Sequence, residues 1–115
     1  MPCIKCSVNQ LLTNENKQRL RDGFIDAIQL IPGKTADSVM VILEEGKDLY
    51  FHQSAELKIA FIEVNMLLRS DPTEYFSPMS KKICELLSKE LGISGANVYI
   101  RYLATPDWGW NGRNF

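Results

Sequence analysis

Residues 33–41 read GKTADSVMV, and residues 92–100 read GISGANVYI. The two stretches align without a gap: their opening glycines coincide, and so do the apolar residues that close them. A glycine that ends a helix, followed by a short buried strand, is typical of the second part of a strand–helix–strand unit. The internal similarity therefore predicts a fold in which one βαβ unit is used twice.

The sequence on either side of these stretches supplies the rest of both units. Apolar residues that recur every three to four positions indicate two helices, and short apolar runs indicate strands. In chain order we predict a strand over 2–8, a helix over 14–31 capped by Thr13 or Asn14, a strand over 38–43, a small edge element over 49–51, a strand over 57–68, a helix with Ser77 as N-cap and Pro78 as first residue that ends at Leu91, a strand over 97–102, and an aromatic, glycine-rich tail over 106–115.

The order of these elements predicts an α+β fold. Right-handed crossovers place both helices on one face of a single four-stranded sheet. A chain of 115 residues is the length of one domain, so residues 1–115 are predicted to form it.

The predicted strands leave one face of that sheet uncovered. Residues 39–43 and 59–62 are apolar at successive positions, which favours burial on both faces of the sheet. Two helices cover only one face. The simplest cover for the other face is a second copy of the same chain, so the sequence predicts an oligomer.

Composition excludes several classes of protein. The chain has 13 Lys and Arg against 14 Asp and Glu, so it lacks the basic excess typical of nucleic-acid binding. No apolar run approaches the roughly 20 residues of a membrane helix. The start of the chain lacks the basic-then-apolar layout of a signal peptide, so we expect a cytoplasmic protein that binds neither nucleic acid nor membrane.

The cysteines and the histidine do not predict a redox or metal site. Cys3 and Cys6 form a C-x-x-C on a predicted strand, where residues three apart point to opposite faces. Redox pairs of this spacing instead sit at a helix start. Burial as small apolar side chains is the favoured interpretation, with a redox or metal role as the alternative. His52 is the single histidine, so a histidine-based metal cluster is excluded.

Pro2 is the residue with the most specific chemistry. The initiator Met is generally removed before proline, which would leave Pro2 with a free secondary amine. A terminal amine has a pKa near ~8, and burial in an apolar pocket or a neighbouring cation lowers the pKa further. Such an amine could act as a general base at neutral pH. The alternative is a proline without chemical role.

Four motifs occur together in one known family. These are Met-Pro at the start, Gly33-Lys34 before the second strand, VYI at 98–100, and WGWNGRNF at 108–115. Through them the whole chain resembles the macrophage migration inhibitory factor (MIF) family of the tautomerase superfamily. The resemblance implies a homotrimer whose sheets line the centre, with active sites between neighbouring subunits. It also implies keto–enol tautomerisation of α-keto acids such as phenylpyruvate, or of dopachrome-like compounds, with no cofactor and no metal.

The resemblance assigns roles to five residues. Pro2 is the base that moves a proton between carbon and oxygen, and Lys34 binds the substrate carboxylate or the developing enolate. Tyr99 enters the pocket from the adjacent subunit, while Trp110 and Phe115 line or shape it. The last four also have structural alternatives. Lys34 would be a solvated loop lysine, Tyr99 a half-buried aromatic residue on a strand, and Trp110 and Phe115 core residues.

Three positions depart from the family pattern. Relatives usually have Asn where this chain has Arg101, which could grip a carboxylate by two hydrogen bonds or pair with an acid of the neighbouring chain. Relatives have Ser-Ile-Gly near residues 66–68, so either Met66 or Leu67 takes the place whose main chain binds substrate. Ser38 stands where relatives often have a pocket Tyr or Phe. The pocket rim is therefore expected to be altered.

Two alternatives to a keto–enol tautomerase stay open. The first is a cytokine-like binding protein with weak or vestigial catalysis, exported without a signal peptide, which would act on a host receptor. The second is a superfamily enzyme that hydrates, dehalogenates or decarboxylates unsaturated or β-keto acids. That chemistry needs an acid to activate water, for which Asp37 or Glu63 could serve.

Overall fold

In the part of the chain that the structure describes, two α-helices pack against a four-stranded sheet. The computed structural model describes residues 2–67 and 72–115. Its elements are, in chain order, β1 (Pro2–Val8), α1 (Asn14–Ile28), β2 (Met40–Glu44), β3 (Ala60–Leu67), α2 (Phe76–Leu91), β4 (Val98–Thr105) and the short strands β5 (Gly109–Trp110) and β6 (Arg113–Asn114). Among these residues, no helix is long and apolar enough to span a bilayer.

The strand order confirms the α+β fold with two βαβ units. The sheet runs β2-β1-β3-β4, with β1 parallel to β2, β3 parallel to β4, and β1 antiparallel to β3. Each parallel pair is joined through one helix, as a βαβ crossover requires. The antiparallel contact between β1 and β3 joins the two units side by side.

The gapless repeat is visible in the backbone. Gly33 and Gly92 both have positive φ, of 83° and 68°, which favours glycine because it has no Cβ. Short 3-10 turns then follow at matching positions, Ala36–Ser38 in the first unit and Gly95–Asn97 in the second. The second turn leads directly into β4 and the first leads into β2 after one residue, so the similarity of the two stretches reflects a repeated local fold.

The core lies between the helices and one face of the sheet. Residues two apart along a strand share a face, and Ile4, Cys6 and Val8 on β1 are fully buried against the helices. The same face of β3 contributes Ile62, Val64 and Met66. The helices bury one stripe each, with Leu20, Phe24, Ala27 and Ile28 on α1 and Met79, Ile83, Leu87 and Leu91 on α2.

The two helices approach closely at Gly23. A Cβ placed there would overlap Cδ1 of Leu86. Glycine at this point of α1 therefore allows α2 to pack against it, although glycine in a helix interior is itself unfavourable.

The other face of the sheet carries exposed apolar side chains, as the sequence predicts. Met40 and Ile42 of β2 and Tyr99 and Leu103 of β4 are 39–65% exposed. The two central strands place Cys3, Lys5 and Ser7, and Phe61, Glu63 and Asn65, on this face between them. We call it the open face of the sheet.

Two predicted helix ends differ from the structure. The first helix is predicted to end at 31 but ends at Ile28, because the amides of Leu30 and Ile31 bond three residues back and tighten the chain before Pro32. At the other end of α1 the prediction holds: Thr13 is the N-cap, and it forms a capping box with Asn16.

The start of α2 differs from the one that Ser77 and Pro78 predict. A 3-10 turn, Thr73–Tyr75, runs directly into the helix, which begins at Phe76. Ser77 is therefore inside the first turn and is not the N-cap. Pro78 is tolerated there because the first amides of a helix have no partner within the helix.

The predicted edge element over 49–51 is also wrong. Phe51 instead forms an isolated bridge with Ser54, and the two residues between them have positive φ, 52° at His52 and 62° at Gln53. That geometry is a tight turn of two residues. The predicted strand over 57–68 begins later, at Ala60, and its last residue, 68, lies outside the described residues.

Candidate active site

Pro2 begins β1 at the edge of the core. Its side chain is buried, and its register partner on the neighbouring strand is Met66, on the helix-covered face. Proline suits the first position of a strand because it has no amide hydrogen to donate to the ladder. The end of β1 thus brings Pro2 beside the end of β3.

Lys34 reaches the same end of the sheet from the loop after α1. Gly33, with its positive φ, lies five residues beyond the end of α1, and the amide of Lys34 donates to the carbonyl of Ile31 at 3.3 Å. The Lys34 ammonium then lies 3.5 Å from the carbonyl oxygen of Leu67. A cation is therefore held beside the last described residue of β3.

A cavity of about 440 Å³ lies at this end of the sheet. Its walls include four of the residues predicted for the site: Lys34, Met66, Leu67 and Phe115. Pro2 does not itself line the cavity, but it pairs with Met66, which does. The size is in the range of small-molecule sites, which are usually few per protein.

The sequence left open whether Met66 or Leu67 takes the substrate-binding main-chain position, and the structure gives the two residues different surroundings. Met66 turns its side chain into the core beside Pro2 and is 1% exposed. Leu67 presents its carbonyl oxygen to the Lys34 ammonium. The third residue of this departure, Leu68, lies outside the described residues.

A small hairpin in the tail positions the two predicted aromatic residues. The strands β5 and β6 pair around Asn111 and Gly112, whose φ values of 53° and 76° are those of a type I′ turn. The rings of Trp110 and Phe115 are then roughly parallel, 6.4 Å apart, and the guanidinium of Arg113 lies 5.9 Å from the Trp110 ring centre. Sequence reasoning missed this hairpin, although Asn-Gly between aromatic residues is a strong signal for it.

Phe115 and Trp110 face different cavities. Phe115 lines the cavity that holds Lys34, whereas Trp110 lines a second cavity of about 400 Å³ beside Ser38 and Met40. Both aromatic side chains are about half exposed. Neither is a core residue within this chain, so the alternative of simple core packing does not describe them.

Tyr99 does not lie near Pro2 within one chain. It pairs with Phe61 near the start of β4, whereas Ala104 is the β4 residue in register with Met66. Five residues of strand separate Tyr99 from Ala104, or about 17 Å. Tyr99 is 65% exposed on the open face, and its ring is contacted edge-on by Phe51, with ring centres 4.9 Å apart.

Arg101 also lies on the open face, in register with Glu63. The Glu63 carboxylate is 3.7 Å from the Lys5 ammonium, which is also 3.2 Å from Glu44. The Lys5 ammonium donates a hydrogen bond to the Glu44 carboxylate, which raises the pKa of Lys5 and lowers the pKa of the Glu44 carboxyl. Among residues 2–67 and 72–115, Arg101 forms no ion pair, so its guanidinium is available to an anion from outside the chain.

Cys3 and Cys6 lie on opposite faces of β1, as the strand pattern predicts, but only Cys6 is buried, whereas the favoured interpretation of the sequence has both buried. Cys6 is buried under the helices, and burial raises its pKa to about 12. Cys3 is on the open face, where burial and, secondarily, the charge of Glu63 raise its pKa. All three cysteines are free, and no group of three or more His, Cys, Asp or Glu in the described part of the chain is arranged as metal ligands.

Comparison with known proteins agrees with this geometry. The sequence profile of the family described as macrophage migration inhibitory factor (MIF) matches residues 1–115. The crystal structure of Leishmania major MIF2 is similar over 100% of this chain and 97% of that chain, with a TM-score of 0.90 and 26% identity. That of the MIF-like protein from Entamoeba histolytica is similar over 99% and 98%, with a TM-score of 0.87 and 22% identity.

A third similar structure is that of the protein Pt0534 inactivated by 2-oxo-3-pentynoate. It covers 97% of this chain and 94% of that chain, with a TM-score of 0.84 and 20% identity. No curated protein sequence matches the chain. Because the family profile spans the whole length, the chain belongs to the macrophage migration inhibitory factor family, within the tautomerase superfamily.

Proposed function

We propose that this protein is a cofactor-free keto–enol tautomerase of α-keto acids of the phenylpyruvate or dopachrome type, with the amine of Pro2 as general base. One observation carries the proposal: a lysine, a strand-end carbonyl and an aromatic side chain line one cavity next to the buried Pro2. These groups suit an anionic, partly aromatic substrate. The mechanism requires removal of Met1, so that the proline nitrogen is a free amine.

The reaction moves one proton between oxygen and carbon. In the enol-to-keto direction, the neutral amine of Pro2 accepts the proton of the enol hydroxyl and becomes an ammonium. The carbonyl forms as the carbon–carbon double bond takes the proton back at carbon. A general base of this kind contributes roughly 10²–10⁴-fold to the rate.

Lys34 supplies the positive charge in this scheme. Its ammonium is held at 3.5 Å from the Leu67 carbonyl, where it can bind the substrate carboxylate or the oxygen that bears negative charge during proton transfer. A cation fixed in advance at such a point stabilises the transition state without reorganisation. The Leu67 main chain itself offers a polar contact at the same place.

The substrate class has support from a structural relative. Pt0534, which shares this fold, is inactivated by 2-oxo-3-pentynoate. That inactivator is itself an α-keto acid. The cavity of this chain, which is lined by one lysine and one aromatic side chain, suits the same functional group.

A homotrimer would complete the site. Tyr99 lies on the open face, about 17 Å along β4 from Ala104, and Arg101 lies on the same face three residues from Ala104. A second copy of the chain would bring both side chains to the cavity of Lys34. The exposed apolar side chains of Met40, Ile42 and Leu103 on the same face favour such an association.

The test compares three forms of the protein with phenylpyruvate as substrate. Mass spectrometry first establishes that Met1 is absent, and sedimentation establishes the oligomer. Pro2→Gly is expected to lower kcat/KM by about 100-fold or more. Insertion of one alanine before Pro2 keeps the proline ring but converts its nitrogen to an amide, and is expected to do the same.

Two results would contradict the proposal. Full activity in either variant would exclude the Pro2 amine as base. No turnover of phenylpyruvate or dopachrome by a processed wild-type oligomer would favour the alternative of a cytokine-like binding protein.

A further inference from the structure

One dipeptide of the tail has chemistry that the proposed function does not use. Asn111-Gly112 is the single Asn-Gly pair in the sequence, and it forms the tip of the hairpin between β5 and β6. Asparagine is a thermolabile residue, because the backbone nitrogen of the next residue can attack its side-chain amide. Glycine in the next position hinders this attack least, since it has no side chain.

The surroundings of Asn111 leave room for the reaction. Asn111 and Gly112 are both exposed, and a Cβ built on Gly112 would meet no atom of the described residues within 4 Å. Each strand of the hairpin has only two residues. A short two-stranded hairpin is marginally stable by itself, so its tip is expected to open more often than the core of the fold.

The turn type decides when the reaction can occur. Asn111 and Gly112 have φ values of 53° and 76°, those of a type I′ turn, in which the first of the two residues has ψ of about 30°. A five-membered ring between the Gly112 nitrogen and the side chain of Asn111 fixes ψ of Asn111 at a different value. The reaction therefore proceeds when the turn opens and is slowed while the turn is closed.

We propose that Asn111 is a site of spontaneous covalent modification, in which deamidation through the Gly112 nitrogen produces an isoaspartyl residue and disrupts the pairing of β5 with β6. The Gly112 nitrogen loses its proton and bonds to Cγ of Asn111, while the bond from Cγ to the side-chain nitrogen breaks and releases ammonia. Water then opens the cyclic imide. Opening at Cγ gives aspartate, and opening at the backbone carbonyl gives isoaspartate.

The two products affect the hairpin differently. Aspartate keeps the turn, because Asp-Gly is also a favoured type I′ pair. Isoaspartate routes the main chain through the side-chain methylene, which adds one backbone atom between Trp110 and Arg113 and removes them from register. Phe115 follows the hairpin, because its amide donates to the carbonyl of Trp108 at 3.0 Å. Since Phe115 also lines the first cavity, the modification alters a wall of the candidate site.

The chain contains its own control for this chemistry. Asp22-Gly23 is the single Asp-Gly pair, and aspartate before glycine can form the same cyclic imide. This pair lies inside α1, where Leu86 packs closely against Gly23. Asp22 should therefore yield isoaspartate only when the protein is unfolded.

The experiment incubates the full-length protein in mildly alkaline buffer and follows its asparagines by peptide mapping. Asn111 is expected to gain the mass of an oxygen in place of an NH group at least tenfold faster than any other asparagine, chiefly as isoaspartate. Asp22 is expected to stay unmodified. In denaturant, where the turn is lost, modification of Asn111 is expected to be at least threefold faster.

Two further measurements report on the hairpin. Both tryptophans, Trp108 and Trp110, lie in the tail, so intrinsic fluorescence reports on this part of the chain. The isoaspartyl form is expected to show a shifted tryptophan emission and faster hydrogen exchange at the Phe115 amide. Asn111→Gly, which keeps a favoured turn pair without a side-chain amide, should show neither change after the same incubation. Freshly prepared Asn111→Asp should match the unmodified wild type.

Three results overturn the inference. One is an Asn111 that is modified no faster than the other asparagines, and another is a product that contains aspartate alone. The third is an emission and an exchange rate that the isoaspartyl form leaves unchanged, or that change equally in incubated Asn111→Gly. None of these measurements uses turnover, so they are independent of the proposed tautomerase function.

Discussion

Lys34→Ala removes the cation from the cavity and should lower activity far more than stability. A hydrogen bond to a charged group contributes about 1.5–3 kcal/mol. If the ammonium stabilises the transition state by that amount, kcat/KM for phenylpyruvate falls about 10- to 150-fold. The folded chain loses only the contact with Leu67, which at 3.5 Å is at the long limit of a hydrogen bond. The free energy of unfolding should then change by about 1 kcal/mol or less.

Lys58 provides a matched control. Its ammonium lies 3.4 Å from the carbonyl of Leu91, so it makes nearly the same contact as Lys34, outside the cavity. Lys58→Ala should leave kcat/KM at the wild-type value, and denaturant unfolding should give both variants similar stabilities. Lys34→Arg, which keeps the charge, should recover part of the activity. Equal kcat/KM in Lys34→Ala and Lys58→Ala would refute the assignment of Lys34.

Three further outcomes are expected. If Arg101 binds the substrate carboxylate, Arg101→Asn should raise KM for phenylpyruvate about tenfold and leave the oligomer intact. Dissociation of the oligomer in sedimentation would instead place Arg101 in a contact between subunits. Gly23→Ala should lower the free energy of unfolding by about 1–3 kcal/mol, because the new methyl group overlaps Leu86. In a double-mutant cycle, the effects of Gly23→Ala and Leu86→Ala should be non-additive, whereas a more stable Gly23→Ala would show that helix propensity outweighs the overlap. Cys6 should stay unmodified by a thiol reagent at pH 8 until the protein unfolds, since burial raises its pKa to about 12, and rapid labelling of Cys6 in the native state would contradict that burial.

The order of elements could be predicted because apolar periodicity and the repeat agreed. The opening glycines of the two similar stretches, Gly33 and Gly92, both adopt the left-handed backbone, but only Gly92 caps its helix, because α1 already ends at Ile28. The predicted element bounds are wrong where two local sequence signals favour different structures. Ser77 before Pro78 is a good helix start, but the preceding 3-10 turn already supplied one. Phe51 has strand propensity, but the turn at His52 leaves it a single bridge.

The candidate site was predictable only in part. The resemblance named Lys34 and Phe115, and the structure brings both to one cavity. No local pattern could reveal that the loop after α1 and the tail meet there, since that contact depends on the whole sheet. The second cavity was equally hidden, because its lining combines the turn before β2, the start of β2 and Trp110 of the tail.

The two βαβ units differ at corresponding positions, so one end of the sheet is suited to binding and the other to rigid packing. In the gapless alignment Lys34 corresponds to Ile93, which is fully buried in the core. Near it, the Asn9 side chain donates to the carbonyl of Leu57 at 2.7 Å and accepts from the amide of Ile59 at 3.0 Å. The end of the sheet at Lys34 thus contains a cavity, whereas the other end is filled by apolar side chains and held by the two hydrogen bonds of Asn9. Amide hydrogens at this filled end should exchange with solvent most slowly, and local opening should concentrate at the cavity.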